Sequence, residues 1–164
     1  MSSPSQAWAE QITLPPLAPS VHRARTFVAD HLAAHHDVVR NDDICLVASE
    51  LASNALLHAR TPFTVFLRGD GLGISLAVRD GLASFVPSGG PSSEWDEGGR
   101  GLLITEALTD SWGMRPGAYG AKYVWTFFAH SGSTRPGLLP GRGWQEPGEP
   151  AAITDDHGPW RAGC

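Results

Sequence analysis

Two strand patterns joined by a four-residue connection constrain the fold of this 164-residue chain more than any other feature. Hydrophobic periodicity predicts strands over residues 63–68 and 73–79, and the connection contains Asp70 and Gly71, a pair that favours tight hairpin turns. Strands joined so closely run antiparallel, because a parallel pair needs a crossover of about a dozen residues or more. A doubly wound parallel sheet is therefore not expected.

Periodicity and helix-start signals predict the remaining elements. An edge strand is expected over residues 8–14, since its side chains alternate and prolines follow it. Ser20 is expected to cap a first helix over about 21–35. Asn41, which two acidic residues follow, is expected to cap a second helix over about 41–59. A third helix and a last pair of strands complete the pattern: 102–111, 112–116 and 121–128.

The element order β-α-α-β-β-loop-α-β-β predicts an α+β fold, a two-layer sandwich whose mixed, mostly antiparallel sheet is covered on one face by helices. The ordered domain is expected over residues 8–129. Residues 1–7 are expected to be disordered, and so is the tail 130–164, where 12 of 35 residues are Gly or Pro against 20 of 129 before it. The segment 87–100 predicts a mobile loop inside the domain.

Charge and apolar content limit the classes of partner. The chain has 12 Lys and Arg against 17 Asp and Glu, a formal net charge of −5, and no basic cluster, so direct binding of nucleic acid is not expected. It has no apolar run near the ~20 residues of a membrane span and no signal-peptide pattern, so a cytoplasmic protein is expected. Its two cysteines, Cys45 and Cys164, form neither a disulfide framework nor a zinc spacing.

Glu50 and Asn54 are the first candidate site residues. On a helical projection they lie about 40° apart, within the apolar arc of the second helix. An unpaired buried carboxylate costs several kcal/mol, so both residues are expected to meet a partner. An Asn oxygen suits Mg²⁺, and a Glu one turn earlier can polarise a water or hydroxyl beside that ion. A hydrogen bond within the helix or at its cap is the alternative interpretation.

Asp80 and a glycine-rich segment are further candidates. Asp80 ends the strand 73–79, where a buried carboxylate can accept a hydrogen bond from an exocyclic amine such as that of adenine; a turn that caps the strand is the alternative. Gly99 and Gly101 precede the third helix and let backbone N–H groups approach phosphate oxygens. The segment is neither a P-loop nor the GxGxxG pattern that binds dinucleotides.

In this order the segments resemble the histidine-kinase-like (GHKL, or Bergerat) ATP-binding fold, and most of all its small branch, the anti-sigma-factor serine/threonine kinases. Residues 50–58, ELASNALLH, match the pattern E-x-x-x-N-A-x-x-H of that branch. Residues 78–80 resemble the first glycine box, 99–102 the second, and 122–125 the closing strand. The resemblance covers about residues 10–128.

The resemblance implies ATP and Mg²⁺ as cofactors and assigns a role to each candidate. Asn54 would bind the Mg²⁺ that bridges the ATP phosphates, Glu50 would be the general base, and Asp80 would hold the adenine amine. Two glycines would let a lid close over the phosphates, and Arg100 would reach the γ-phosphate or the partner. The cofactor-binding residues expected around the phosphates are Gly99, Arg100, Gly101, Leu102 and Lys122.

The resemblance also implies a function. The protein would transfer the γ-phosphate of ATP to a serine of an anti-anti-sigma (STAS-type) partner and sequester a sigma factor, with a homodimer possible. Leu82 stands where the family has a small residue, and Tyr123 where a threonine usually follows Lys122. These departures motivate an alternative, a catalytically weak or inactive regulatory module that acts by stoichiometric protein binding.

A metal-binding helix is a hypothesis of another class. His31 and His35 are one turn apart on the first helix, and His36 is adjacent. Two imidazoles at this spacing suit a transition metal, but no acidic or cysteine third ligand lies near them in the sequence. A solvated helix face is therefore the favoured interpretation.

Overall fold

The structure is a computed structural model that describes residues 7–35, 40–81 and 99–130. Several predicted features lie outside the described residues: nearly all of the N-terminal segment 1–7 and of the tail 130–164, most of the loop 87–100, Leu82 and His36. In chain order the elements are β1 (Trp8–Leu14), α1 (Pro19–Ala34), α2 (Asn41–Asn54), a π-helical turn (Ala55–Ala59), β2 (Phe63–Asp70), β3 (Gly73–Asp80), α3 (Gly99–Leu108), β4 (Ser111–Pro116), a 3-10 turn (Ala118–Gly120) and β5 (Lys122–Ala129).

The five strands form one sheet in the order β1-β2-β3-β5-β4, with β1 at an edge as predicted. All four strand pairings are antiparallel, so the parallel pairing that a mixed sheet allows does not occur among the described strands. The predicted α+β sandwich is confirmed. Because β5 lies between β3 and β4, the last strand of the described residues occupies the interior of the sheet.

The main core lies between one sheet face and the helices. Alternate residues of β2 and β3 face this core, since successive side chains of a strand point to opposite faces. Fully buried side chains come from α1, α2 and these strands: Val28, Leu32, Val47, Leu51, Val65, Leu67, Leu76 and Val78. Each such side chain contributes about 1.5–3 kcal/mol relative to an exposed one. This packing fixes α2 over the middle of the sheet.

Both predicted helix caps are wrong. Helix α1 begins at Pro19, whose ring presets the helical φ angle, and Ser20 is buried in its first turn at 1% exposure instead of capping it. Helix α2 is preceded by Arg40, which has a left-handed backbone (φ 63°), and Asn41 makes no cap hydrogen bond. A proline therefore starts α1, and neither helix is capped by the side chain that the sequence predicted.

Arg40 ties the start of α2 to the far end of α3 and to β5. Its guanidinium lies 2.7 Å from Asp110 Oδ2 and 3.3 Å from Asp43 Oδ2, and it also donates to the carbonyl of Leu108. The same group stands 5.3 Å from the ring centre of Phe128. One side chain thus contacts groups of α2, α3 and β5 and the segment between α3 and β4.

We expect Arg40→Ala to lower the free energy of unfolding by about 2 kcal/mol, because charge-assisted hydrogen bonds contribute about 1.5–3 kcal/mol each and partial exposure reduces that value. Arg60→Ala is the matched control. Arg60 has the same left-handed backbone (φ 54°), but its guanidinium has no ion pair or hydrogen bond among the described residues. Urea denaturation of both variants measures the difference; equal losses would show that the Arg40 contacts contribute nothing.

Cys45 is buried on α2, and burial raises the pKa of its thiol; nearby Arg25 opposes this rise and Asp42 adds to it. A raised pKa leaves less of the reactive thiolate at neutral pH. In a Cys164→Ser background, we expect Cys45 to react with a thiol reagent at pH 8 at least about tenfold more slowly than in the denatured chain. Equal rates in the native and denatured chain would contradict its burial.

Candidate functional site

Glu50 and Asn54 project from α2 beside fully buried neighbours. Both are half-buried, whereas Val47, Ala48 and Leu51 on the adjacent positions are at most 2% exposed. Within the described part of the chain, neither polar side chain makes a hydrogen bond or an ion pair, to the other or to any backbone group. The alternative that they bond within the helix is therefore not what the structure shows.

The start of α3 lies directly against this polar pair. A Cβ atom placed on Gly101 would be 2.9 Å from Glu50 Oε2 and 3.5 Å from both Asn54 Oδ1 and Nδ2. Real Cβ atoms essentially never approach an atom as closely as the first distance, so only glycine leaves the Glu50 carboxylate where it is. Gly101 is buried, and its carbonyl accepts a hydrogen bond from Thr105 Oγ1 at 2.9 Å. The structure thus brings three predicted site residues together.

The same contact places the N-terminus of a helix at the site. Helix α3 begins at Gly99, so the N–H groups of its first turn have no acceptor within the helix. This end of a helix carries a partial positive charge and is suited to phosphate groups. Leu102 is half-buried in this turn. Of Arg100 the structure describes the helical backbone but not the side chain. A carboxylate, an amide oxygen and a helix N-terminus therefore share one site.

Asp80 and Lys122 form a second polar pair, at the end of β3 and the start of β5. The two residues are register partners, and Lys122 Nζ lies 3.4 Å from Asp80 Oδ2, with both side chains at most 8% exposed. Gly81 follows Asp80 and donates its N–H to Thr61 Oγ1 at 3.0 Å. Because Thr61 follows the π-helical turn, the end of β3 lies beside the segment that connects this turn to β2.

Lys122 was expected near phosphates, and the structure places its ammonium group on Asp80. A lysine in this position compensates the buried negative charge of the carboxylate. The sequence did not predict the pair, because it depends on the register of two strands separated by more than forty residues. Thr61 was also missed, since a threonine before a proline gives no signal beyond the helix end.

Tyr123, one of the two departures from the family pattern, does not face the helices. Strand alternation turns it to the opposite face of the sheet, where it is 2% exposed and packs in a small cluster with Phe66 and Ala77. The guanidinium of Arg115 stands 4.4 Å from the centre of its ring. This substitution therefore leaves the face that bears Lys122 unobstructed.

The comparison with protein families decides the identity of the fold. Residues 14–122 match the model of the histidine kinase-like ATPase domain. The chain belongs to this family. The match covers more than half of the chain and includes both polar pairs and the first turn of α3. No match was found among curated proteins.

Among the described residues of this histidine kinase-like ATPase domain, no helix has the length and apolar character needed to cross a bilayer. The α2–α3 contact lies within the matched range 14–122.

Proposed function

We propose that this histidine kinase-like ATPase domain binds Mg²⁺-ATP between α2 and the first turn of α3 and transfers the γ-phosphate to a serine hydroxyl of an anti-anti-sigma (STAS-type) partner. The observation that carries the proposal is the approach of Gly101 to Glu50 and Asn54. This contact joins a candidate metal ligand and a candidate base to a phosphate-binding helix end.

The donor set fits Mg²⁺. This ion prefers one or two protein oxygens and fills its other positions with phosphate oxygens and water. Asn54 offers one hard oxygen that no other described side chain engages, and the Glu50 carboxylate stands beside it. When bound, the ion would neutralise charge on the phosphates of ATP. Asn54 would hold that ion, and no side chain at position 101 obstructs the approach.

Glu50 is suited to the proton transfer. Phosphoryl transfer requires charge neutralisation, alignment and a group that orients the attacking hydroxyl. The Glu50 carboxylate would accept the proton of the partner's serine as its oxygen bonds to the γ-phosphorus and the bond to the β-phosphate oxygen breaks. The N–H groups at the start of α3 would hold the phosphate oxygens. Asp80, held in place by Lys122, would accept a hydrogen bond from the adenine amine.

Support for the partner class comes from residues 50–58, which fit the pattern of the anti-sigma-factor kinases. In this proposal the domain also sequesters a sigma factor, and phosphorylation of the anti-anti-sigma protein blocks its binding. A phosphoserine adds nearly two negative charges and disfavours an interface with acidic neighbours. The net charge of −5 on this chain strengthens such a repulsion.

The test is a transfer assay. The full chain is incubated with Mg²⁺, γ-labelled ATP and STAS-domain proteins encoded near it or co-purified with it, and label on one serine of a partner is expected. Replacement of that serine by alanine serves as the control. Nucleotide binding without transfer to any partner would instead support the alternative, a regulatory module without catalysis. Absence of nucleotide binding would contradict the proposed kinase and would favour that regulatory module.

Gly101→Ala separates the site from the fold. The new Cβ displaces the Glu50 carboxylate, which is the end of a flexible side chain, so the change costs little stability, and alanine favours a helix by up to about 1 kcal/mol. We expect unchanged or higher stability and about tenfold weaker Mg²⁺-ATP binding, one decade being about 1.4 kcal/mol. Gly71→Ala is the control, because a Cβ there meets nothing within 4 Å. Equal nucleotide affinity of both variants and the wild type would contradict the proposed contact.

A further inference from the structure

Three potential metal ligands converge between β1 and the last turn of α1, on elements that the proposed function does not use. Glu10 Oε1 lies 3.5 Å from His35 Nε2 and 3.9 Å from His31 Nδ1. One ligand atom from each of the three residues lies within 4.8 Å of the others. The third ligand that the sequence did not reveal is thus supplied by the neighbouring strand.

The spacing suits a metal ion better than hydrogen bonds among the three residues. Hydrogen bonds between imidazole and carboxylate are about 2.7–3.2 Å long, shorter than both measured distances. Ligands about 2.0–2.1 Å from a tetrahedral ion stand roughly 3.3–3.5 Å from one another. The observed separations therefore need shifts of about 1.5 Å or less to match.

Aromatic neighbours hold both imidazoles in place. The Trp8 ring stacks on His35 with centroids 4.0 Å apart and an interplanar angle of 4°, and Phe27 meets His31 edge-on at 4.6 Å. Both histidines lie at the C-terminal end of α1, where the helix dipole favours a positive charge. The rings thus have restricted orientations, and the local field is favourable for a cation.

We propose that Glu10, His31 and His35 bind a divalent first-row transition ion, with Zn²⁺ as the probe of choice. Two imidazoles and one carboxylate select such an ion over Mg²⁺ and Ca²⁺, which prefer all-oxygen sites. The three side chains fill three positions of a tetrahedral ion and leave the fourth for water. The bound ion would fasten the end of α1 to the edge strand β1 and so stabilise the fold.

The test uses the full chain without a histidine tag, freed of metal by a chelator and titrated with Zn²⁺ by calorimetry at pH 7.5. We expect one ion per chain with micromolar or tighter affinity. His31→Ala and His35→Ala should each weaken binding at least tenfold, and Glu10→Gln by a similar factor. His22→Ala is the matched control, because His22 is exposed on the same helix outside the cluster and should leave the affinity unchanged.

Thermal unfolding provides a second readout. A ligand that binds only the folded chain raises its melting temperature, so Zn²⁺ should stabilise the wild type and the His22 variant but not the double variant His31→Ala/His35→Ala. Far-ultraviolet circular dichroism shows whether each variant is folded, and Glu10→Gln preserves side-chain volume if the alanine variants fail. Zn²⁺ affinity weaker than about 100 μM, or affinity that a folded Glu10→Gln or double histidine variant retains, would overturn the proposal.

Discussion

Replacing Asn54 by alanine is expected to weaken the binding of Mg²⁺-ATP by about 100-fold or more, equivalent to about 2.7 kcal/mol. The variant removes the proposed protein ligand of the ion, and the ion then has only phosphate oxygens and water around it. Titration calorimetry with a nonhydrolysable ATP analogue, with and without Mg²⁺, measures the loss. In the wild type Mg²⁺ should strengthen binding strongly, and in the variant it should have little effect.

Ser53→Ala is the matched control for Asn54→Ala. It removes a small polar side chain one residue away, on a different side of the same helix, and should leave the affinity within about twofold of the wild type. Folding of both variants is compared by urea denaturation. A folded Asn54→Ala protein that retains the magnesium dependence of the wild type would show that this residue is not the metal ligand.

Glu50→Gln is expected to lower the rate of γ-phosphate transfer by about 10²–10⁴-fold, the range that general-base catalysis contributes. Glutamine keeps the shape that fits beside Gly101 but cannot accept the proton of the attacking hydroxyl. Affinity for the nucleotide should be unchanged or higher, because a negative charge near the phosphates is removed. Single-turnover transfer to the cognate serine, with calorimetry in parallel, separates the two effects.

Three outcomes of this experiment distinguish catalysis from binding at Glu50. A large loss of rate with preserved affinity assigns the carboxylate to the chemical step. Retention of the full transfer rate would refute its role as the base. A parallel loss of affinity and rate would instead make Glu50 a residue that binds the nucleotide.

Periodicity in the sequence was sufficient to predict the order of the helices and strands, but the third helix, expected over 102–111, lies three residues earlier, at Gly99–Leu108. Strands over 63–68 and 73–79 extend by one or two residues in the structure, and the second helix ends at Ala59 through a π-helical turn. The two predicted helix caps were wrong, because a side chain that can cap a helix can also be buried or replaced by contacts with distant groups. Ser20 has a capping side chain, yet it is buried among core residues, and the contacts of Arg40 with Asp110 join segments about seventy residues apart.

The candidate site was predictable in part for a physical reason. A carboxylate and an amide in an apolar arc conflict with simple helix packing, and this conflict is visible in one helix of the sequence. The sequence does not show which helix end contacts Glu50 and Asn54, because this contact forms only in the tertiary structure. The same is true of the ion pair between Asp80 and Lys122. The position of Glu10 beside two histidines depends on strand β1 lying next to α1, which periodicity does not reveal.

A crystal structure of the chain with Mg²⁺ and a nonhydrolysable ATP analogue would show whether the nucleotide lies between α2 and α3. We expect phosphate density against the N–H groups at residues 99–101, and an ion about 2.0–2.1 Å from Asn54 Oδ1 with the Glu50 carboxylate beside it. A nucleotide bound elsewhere, or bound here with the side chains of Glu50 and Asn54 turned away from it, would contradict the proposed site.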